Sequence, residues 1–301
     1  MGVRIFTQTV GGDLAGMRLD AAIPSLWPEL SRKLAQRIIK AGGCYLGGRR
    51  CHVPATPLDS GARLKVCVDP DLPFRTWRLD PAAIVHEDDA LFVILKPAGI
   101  PVALSATGQE GSVQLGVEEH FAAGLPRRPA VIHRLDQPTS GLLVYGKTEE
   151  IEKKLYAFFR DGKIRKEYLA AVQPPPRPAG GRIHTRIARR VDRRNQYKVS
   201  RERGQEAETL YETLAAAPDG AAAVLAVKPV TGRSHQIRVH LAWIGAPIVG
   251  DTLYGGVADA ALFGLHAWRL ALPHPATGRP LQLEAPPPAA WRERLPWFQP
   301  E

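Results

Sequence analysis

The residues best placed to do chemistry run His133-Arg134-Leu135-Asp136-Gln137-Pro138-Thr139-Ser140-Gly141. They set one acidic side chain, Asp136, between two short apolar runs, Ala130-Val131-Ile132 and Leu142-Leu143-Val144-Tyr145. Apolar runs bounded by Pro, Ser and Gly read as buried strands joined by a loop. A carboxylate at such a strand end, flanked by Arg134, is where a fold exposes a catalytic acid. The plainer alternative is an aspartate that caps its own turn.

Asp136 is not isolated. With Lys147, the segment resembles the signature HRLDxxTSGLLxxxK of the RluA-like family of pseudouridine synthases. Further segments follow in that family's order: Lys96-Pro97-Ala98-Gly99-Ile100-Pro101-Val102, Lys166-Glu167-Tyr168 and Thr231-Gly232-Arg233-Ser234-His235-Gln236-Ile237-Arg238-Val239-His240-Leu241. Gly250 to Gly255 matches GDxxYG, and Leu265-His266-Ala267 with His274-Pro275 completes the resemblance, which spans about residues 83–287. Ser234 stands where the family usually has Thr.

The resemblance implies an isomerase that breaks the uracil–ribose bond in RNA, turns the base and rejoins it through carbon. Cleavage of N1–C1′ leaves electron deficiency on the sugar and negative charge on the base. Asp136 suits three roles: attack on C1′, attack on C6 of the base, or removal of a proton from C2′. A buried carboxylate needs a paired cation to stay ionised. Arg238 is the candidate, in the first turn of a helix whose stripe is Ile237, Leu241 and Ile244, with Ser234 as N-cap and Gly245 and Pro247 at its end. The resemblance assigns Arg238 to that salt bridge. It also places Tyr168 against the uracil, to stack or to relay the C5 proton. Arg134 resembles the arginine that fills the gap left by a flipped base. His133 is expected to contact the RNA backbone and not to be catalytic. Asp251, in the Gly-Asp-x-x-Tyr-Gly turn, reads as structural. The reaction is redox-neutral and adds no group, so no nucleotide or metal cofactor is implied, and no Walker or dinucleotide glycine motif is present.

These side chains need elements to hold them. Strands are expected around Ile84-Val85, Leu91 to Leu95, 164–172, 207–214 and 222–230. A helix is expected over 149–160, with Ile151, Leu155 and Phe158 on one face and Asp161-Gly162 at its end. Gln173 to Gly181 is a Pro/Gly loop, and the tail carrying Trp291 and Trp297 reads as a packed element. The fold class is α+β, with a mixed, largely antiparallel sheet and flanking helices forming a catalytic domain over 83–301. A linker over 73–82 precedes it, carrying Pro73 and Pro81. Residues 1–72 form a small N-terminal α+β domain. There Ser31 caps a helix bearing Leu34 and Ile38, Gly42-Gly43 closes it, and a hairpin turns at Gly47-Gly48. This order, with Arg32, Lys33, Arg37 and Lys40 on the second helix, resembles a ribosomal-protein-S4-type RNA-binding domain.

Composition agrees. The 301 residues carry a formal net charge of +10, which favours an anionic partner without distinguishing RNA, DNA and membrane. Residues 182–203 hold nine Arg or Lys against two acids, and residues 31–50 hold six and none. Two such runs favour a phosphate-tracking surface over solvated loops. Three cysteines, Cys44, Cys51 and Cys67, do not build a disulfide scaffold, and their spacing matches no zinc knuckle. No apolar stretch approaches membrane-spanning length and no signal-peptide core is present, so the expected location is the cytoplasm. By resemblance the protein is a monomer acting on large-subunit ribosomal RNA. Transfer RNA is the alternative substrate, a non-catalytic RNA assembly factor is the alternative class, and a nucleoside-releasing glycosidase would need a second carboxylate.

Overall fold

In the computed structural model, which describes residues 2–125, 127–192 and 196–299, the chain divides into two units. One comprises Met1–Leu79 and Ile100–Gly124, the other Asp80–Gly99 and Leu125–Glu301.

The first unit holds strands β1 (Arg4–Thr9), β2 (Cys44–Leu46), β3 (Arg49–Cys51) and β4 (Arg63–Val68) in an antiparallel sheet ordered β1-β4-β2-β3. Helices α1 (Leu19–Leu26) and α2 (Arg32–Ala41) pack with it. Ser31 Oγ accepts from the Leu34 amide at 3.3 Å, and Gly42 ends α2 at φ +88°, a left-handed conformation that favours glycine. Ile38 and Ile39 join Ile23, Leu64 and Val66 in the core. The opposite face of α2 leaves Arg32, Lys33, Arg37 and Lys40 exposed.

The expected linker over 73–82 needs correction. Arg75 donates its amide to the Gln109 carbonyl at 2.7 Å, and the Gln109 side chain bonds the backbone of Asp69 and Leu72. Trp77 lies so close to Gly116, in α3 (Val113–His120), that a Cβ there would meet its ring at 2.5 Å. Residues 73–79 thus belong to the first unit, together with 100–124, which the sequence assigned to the catalytic domain. Prolines keep the stretch out of a regular ladder, but its amides still need partners, and Gln109 supplies them.

The second unit is built on one sheet of ten strands. These are β5 (Ile84–Glu87), β6 (Leu91–Lys96), β7 (Ser140–Gly146), β8 (Arg165–Val172), β9 (Gly180–Arg189), β10 (Tyr197–Ser200), β11 (Gln205–Ala216), β12 (Ala223–Pro229), β13 (Leu265–Pro273) and β14 (Pro280–Glu284). Their order is β10-β9-β11-β12-β8-β13-β7-β6-β5, with β14 beside β13. Only β7 and β13 pair in parallel, so the fold is α+β with a mixed, largely antiparallel sheet. Helix α4 (Glu149–Arg160) is capped by Thr148 and has Glu149, Glu150 and Glu152 in its first turn, where the macrodipole favours acids. Ile151 and Leu155 bury against Leu91, Val93, Leu142 and Val144, each worth about 1.5–3 kcal/mol. Helix α6 (Ala289–Arg294) seats Trp291 against Leu169, Val224 and Trp268.

One expected strand is absent. Residues 130–132 are irregular, because α4 takes their backbone groups: Glu152 Oε1 accepts from the Ala130 amide at 2.7 Å and Tyr156 donates to the Val131 carbonyl. The basic run over 182–203 is also less free than its composition suggests. Arg182 pairs with Glu208 at 2.8 Å, Arg186 with Glu206 at 3.1 Å and Arg190 with Asp192 at 2.6 Å. The first two pairs form because β9 and β11 lie in antiparallel register. Arg193 and Arg194 lie outside the described residues. Among the described residues, no helix is long and apolar enough to cross a membrane.

Candidate active site

Asp136 sits in the loop entering β7, and the residues around it fix that loop. The Thr139 amide donates to the Asp136 carbonyl at 3.0 Å, making the turn. Ser140 donates to His266 Nδ1 at 2.8 Å, while His266 Nε2 donates to the Ala285 carbonyl at 3.0 Å. Burial holds this imidazole neutral, pushing it down to about 4. Gly141 has φ +120°, and a Cβ there would lie 2.3 Å from the Ala267 carbonyl oxygen. Only glycine lets β7 approach β13 this closely. Beneath the loop, buried Lys96 donates to the carbonyls of Pro97 at 2.8 Å and Gln137 at 3.0 Å. Burial brings its ammonium down to about 7, against the opposing pull of Asp136.

The partner of Asp136 comes from α5 (Gln236–Trp243). Gln236 and His240, one turn apart, bind this helix to the sheet. The Gln236 amide group donates to the Glu208 carbonyl at 2.8 Å and to Thr209 Oγ1 at 2.9 Å. His240 reaches Thr209 and Thr185, each at 2.9 Å. Arg238, between them in sequence, is 6% exposed and turns elsewhere. Its Nη1 donates to Asp136 Oδ2 at 3.2 Å. Its Nε and Nη2 donate to the two oxygens of Asp251 at 2.7 and 2.8 Å. The guanidinium lies 5.0 Å from the Tyr254 ring centroid and 5.4 Å from that of Phe263. Burial works against its charge, but the two carboxylates outweigh burial and raise its pKa further. Asp251, 1% exposed, is carried by a turn whose Gly250 (φ +82°) and Gly256 would each drive a Cβ into a carbonyl oxygen, at 2.0 and 1.9 Å.

Asp136 therefore faces a cation already clamped from behind, while its own side chain keeps 26% exposure. Buried Tyr168 is near enough that Asp136, after burial itself, pushes its phenol above the ordinary range. Among the described residues no hydrogen-bond partner takes the Tyr168 hydroxyl. Arg134 is exposed. His133 departs from expectation: the Val144 amide donates to its Nε2 at 3.0 Å, and its ring stacks on Phe159 at 4.5 Å. Burial, with Lys166 nearby, pushes this imidazole down to about 3. It props β7 from within, because its ring nitrogen is the nearest acceptor for that amide. Arg32, Lys33, Arg37 and Lys40 lie together in the other unit, where Arg32 is 3.5 Å from buried Asp20 and Arg37 lies 4.4 Å from the Phe74 ring centroid.

Two residues near Arg238 stand out in the structure more than they do in the sequence. Asp251 reads as structural there, yet it is the main anchor of Arg238. His235, not Ser234, precedes α5, and it does so at φ +54° without capping the helix through its side chain. Among the described residues it is the one non-glycine at positive φ. A polar residue inside the run 231–241 was the available signal for His235. For Asp251 the signal was a carboxylate between glycines that demand close backbone approach.

Residues 90–243 match the family described as RNA pseudouridylate synthase. The chain belongs to that family, in its RluA-like branch, and is an isomerase acting on RNA uridine. It is 34% identical over 298 residues to "Ribosomal large subunit pseudouridine synthase D" of Xylella fastidiosa, covering 93% of this chain and 88% of that protein. Over 206 residues it is 36% identical to the "Dual-specificity RNA pseudouridine synthase RluA" of Escherichia coli, covering 67% of this chain and 92% of the relative. The solved structure titled "Human RNA Pseudouridylate Synthase Domain Containing 4" superposes with a TM-score of 0.58 at 25% identity, covering 71% of this chain and 93% of that one.

Proposed function

We propose that Asp136 is the catalytic carboxylate, that Arg238 pairs with it and orients it, and that the RNA is large-subunit ribosomal RNA. The observation that carries the site is the 3.2 Å contact between Arg238 Nη1 and Asp136 Oδ2, with Asp251 holding the arginine from the other side. A buried charge of this kind is costly unless compensated, and here the compensation leaves Asp136 Oδ1 free of any protein donor among the described residues. That oxygen is suited to each of the three roles open to it: attack on C1′, attack on C6, or abstraction from C2′. Tyr168 stacks on the uracil or relays the C5 proton. Exposed Arg134 fills the stack once the base has left it.

The choice of ribosomal RNA is supported by the Xylella relative, which is similar over 93% of the chain and is named for the large subunit. Residues 1–72 act as an S4-type RNA-binding module through Arg32, Lys33, Arg37 and Lys40, and the enzyme works as a cytoplasmic monomer. Pseudouridine mapping of total RNA tests the whole reading, in cells lacking the protein and complemented with wild type or Asp136→Asn. Ribosomal sites that vanish and return only with wild type sustain it. Sites confined to transfer RNA overturn the substrate, and restoration by Asp136→Asn overturns the catalytic assignment.

A further inference from the structure

Whichever role Asp136 plays, negative charge develops on the uracil. Cleavage of N1–C1′, by displacement or by elimination, leaves a uracilate with its charge on O2 and O4. Addition of the carboxylate to C6 places an enolate on O4. In every case a carbonyl oxygen of the base becomes more anionic, and an N–H donor held in advance is what stabilises it.

Arg238 is fixed by its carboxylates, and a donor beside it is needed at the base. Three of the arginine's five N–H groups are committed, one each on Nε and Nη2 to Asp251 and one on Nη1 to Asp136, and the two carboxylates hold the guanidinium where it is. His235 stands beside this cluster, close enough that Asp136, Arg238, Asp251 and Arg134 all act on its charge. Its Nδ1 lies 2.7 Å from the Tyr254 hydroxyl, and that hydroxyl accepts from the Tyr197 amide at 3.0 Å. With the Tyr197 amide on its oxygen, the hydroxyl has its own proton to give to Nδ1, and that arrangement, with the ring hydrogen on Nε2, is the one the proposal uses. The rings of Tyr197 and Tyr254 meet the imidazole edge-on, with centroids 5.2 and 5.7 Å away, and fix its plane. Burial, the leading influence, lowers its pKa and keeps it neutral despite the opposing pull of Asp136. The backbone that delivers this ring is held at φ +54°, ψ +21°. Strain of this kind persists where the surroundings impose it, and active sites are where it gathers.

We propose that His235 is a catalytic residue whose Nε2–H donates to a uracil carbonyl oxygen as charge develops there, and that Tyr254 is the positioning residue that fixes its tautomer. The inference rests on Asp136 being the catalytic carboxylate. The test is single-turnover kinetics on an in vitro large-subunit RNA transcript made with uridine, 2-thiouridine or 4-thiouridine, since sulfur accepts hydrogen bonds more weakly than oxygen. His235→Gly is expected to cut the rate constant about 10²–10³-fold, to leave RNA affinity within a few-fold, and to melt no lower than wild type because glycine relieves the left-handed strain. His235→Asn, which tolerates that conformation and carries an N–H donor, is expected to recover part of the rate, and Tyr254→Phe to fall between. One of the two thio-substituted transcripts should slow wild type and leave His235→Gly unaffected, which identifies the oxygen. Thio effects that are equal in wild type and His235→Gly overturn the proposal, as does a His235→Gly loss confined to affinity. Asp136→Asn run alongside distinguishes the two readings: activity there overturns the carboxylate assignment, not the donor.

Discussion

Arg238 and Asp251 form a two-pronged ion pair, 2.7 and 2.8 Å, almost wholly out of solvent, and it holds the guanidinium whose remaining nitrogen meets Asp136. Asp251 touches no reacting atom, yet the orientation of Asp136 passes through it. Asp251→Asn leaves a buried arginine half compensated, so stability should fall by about 3–5 kcal/mol and turnover by at least tenfold. Arg238→Lys should also fail, because an ammonium cannot span both carboxylates as a planar fork does. Denaturant melts and turnover on one RNA check both variants. Activity within threefold of wild type in either would show that the clamp does not set the aspartate.

Gly141 predicts a sharp steric result. An alanine there would overlap the Ala267 backbone and occupy a φ of +120° that side chains rarely adopt. The backbone conformation alone costs about 1–3 kcal/mol, and the overlap adds to it. Gly278→Ala is the matched control, because φ is +73° but nothing lies within 4 Å of the new Cβ. The melting temperature should fall several degrees further for Gly141→Ala than for Gly278→Ala, and equal shifts would rule out the close approach.

His240 and His266 predict the response to acid. Burial pushes both imidazoles down to about 4, below the ordinary value near 6.5. Between pH 6.5 and 4 the unfolded chain binds protons that the folded chain refuses. Stability is therefore complete above about pH 6.5 and declines as pH falls, by up to about 1.4 kcal/mol per pH unit for each histidine. Melts from pH 7 to 4 on wild type and His266→Asn should show a shallower slope in the variant, by nearly one proton. An unchanged slope would mean that His266 does not resist protonation in the folded protein.

The exposed face of α2 predicts a salt effect. Neutralising Arg32, Lys33, Arg37 and Lys40 to Gln should weaken RNA binding and reduce the steepness of its salt dependence by about 0.7–0.9 for each phosphate left without a cation. Turnover at saturating RNA should hold, since these residues lie outside the unit that carries Asp136. Affinity titrations across a potassium chloride series measure it, and an unchanged slope would remove α2 from the RNA-binding surface.

The sequence by itself determined the elements whose signals are local. Ser31, Leu34, Ile38 and Gly42 marked α2, and the periodicity of Ile151, Leu155 and Phe158 marked α4, because caps and helical stripes are written within a few residues. The family and the pairing of Asp136 with Arg238 were legible too, since ordered segments such as Thr231–Leu241 carry their spacing openly. Tertiary structure alone decided what depends on partners distant in sequence. Residues 130–132 look like a strand, but Glu152 and Tyr156 claim their backbone groups. His133 looks available to RNA, but the Val144 amide needs its nitrogen. Arg182 and Arg186 look like free charge, but the register of β9 on β11 sets Glu206 opposite Arg186 and Glu208 diagonal to Arg182. Asp251 looks like part of a turn until α5 brings Arg238 onto it. In each case a polar group's role was set by which other group needed it once water was excluded, and that choice is made only when the chain closes on itself.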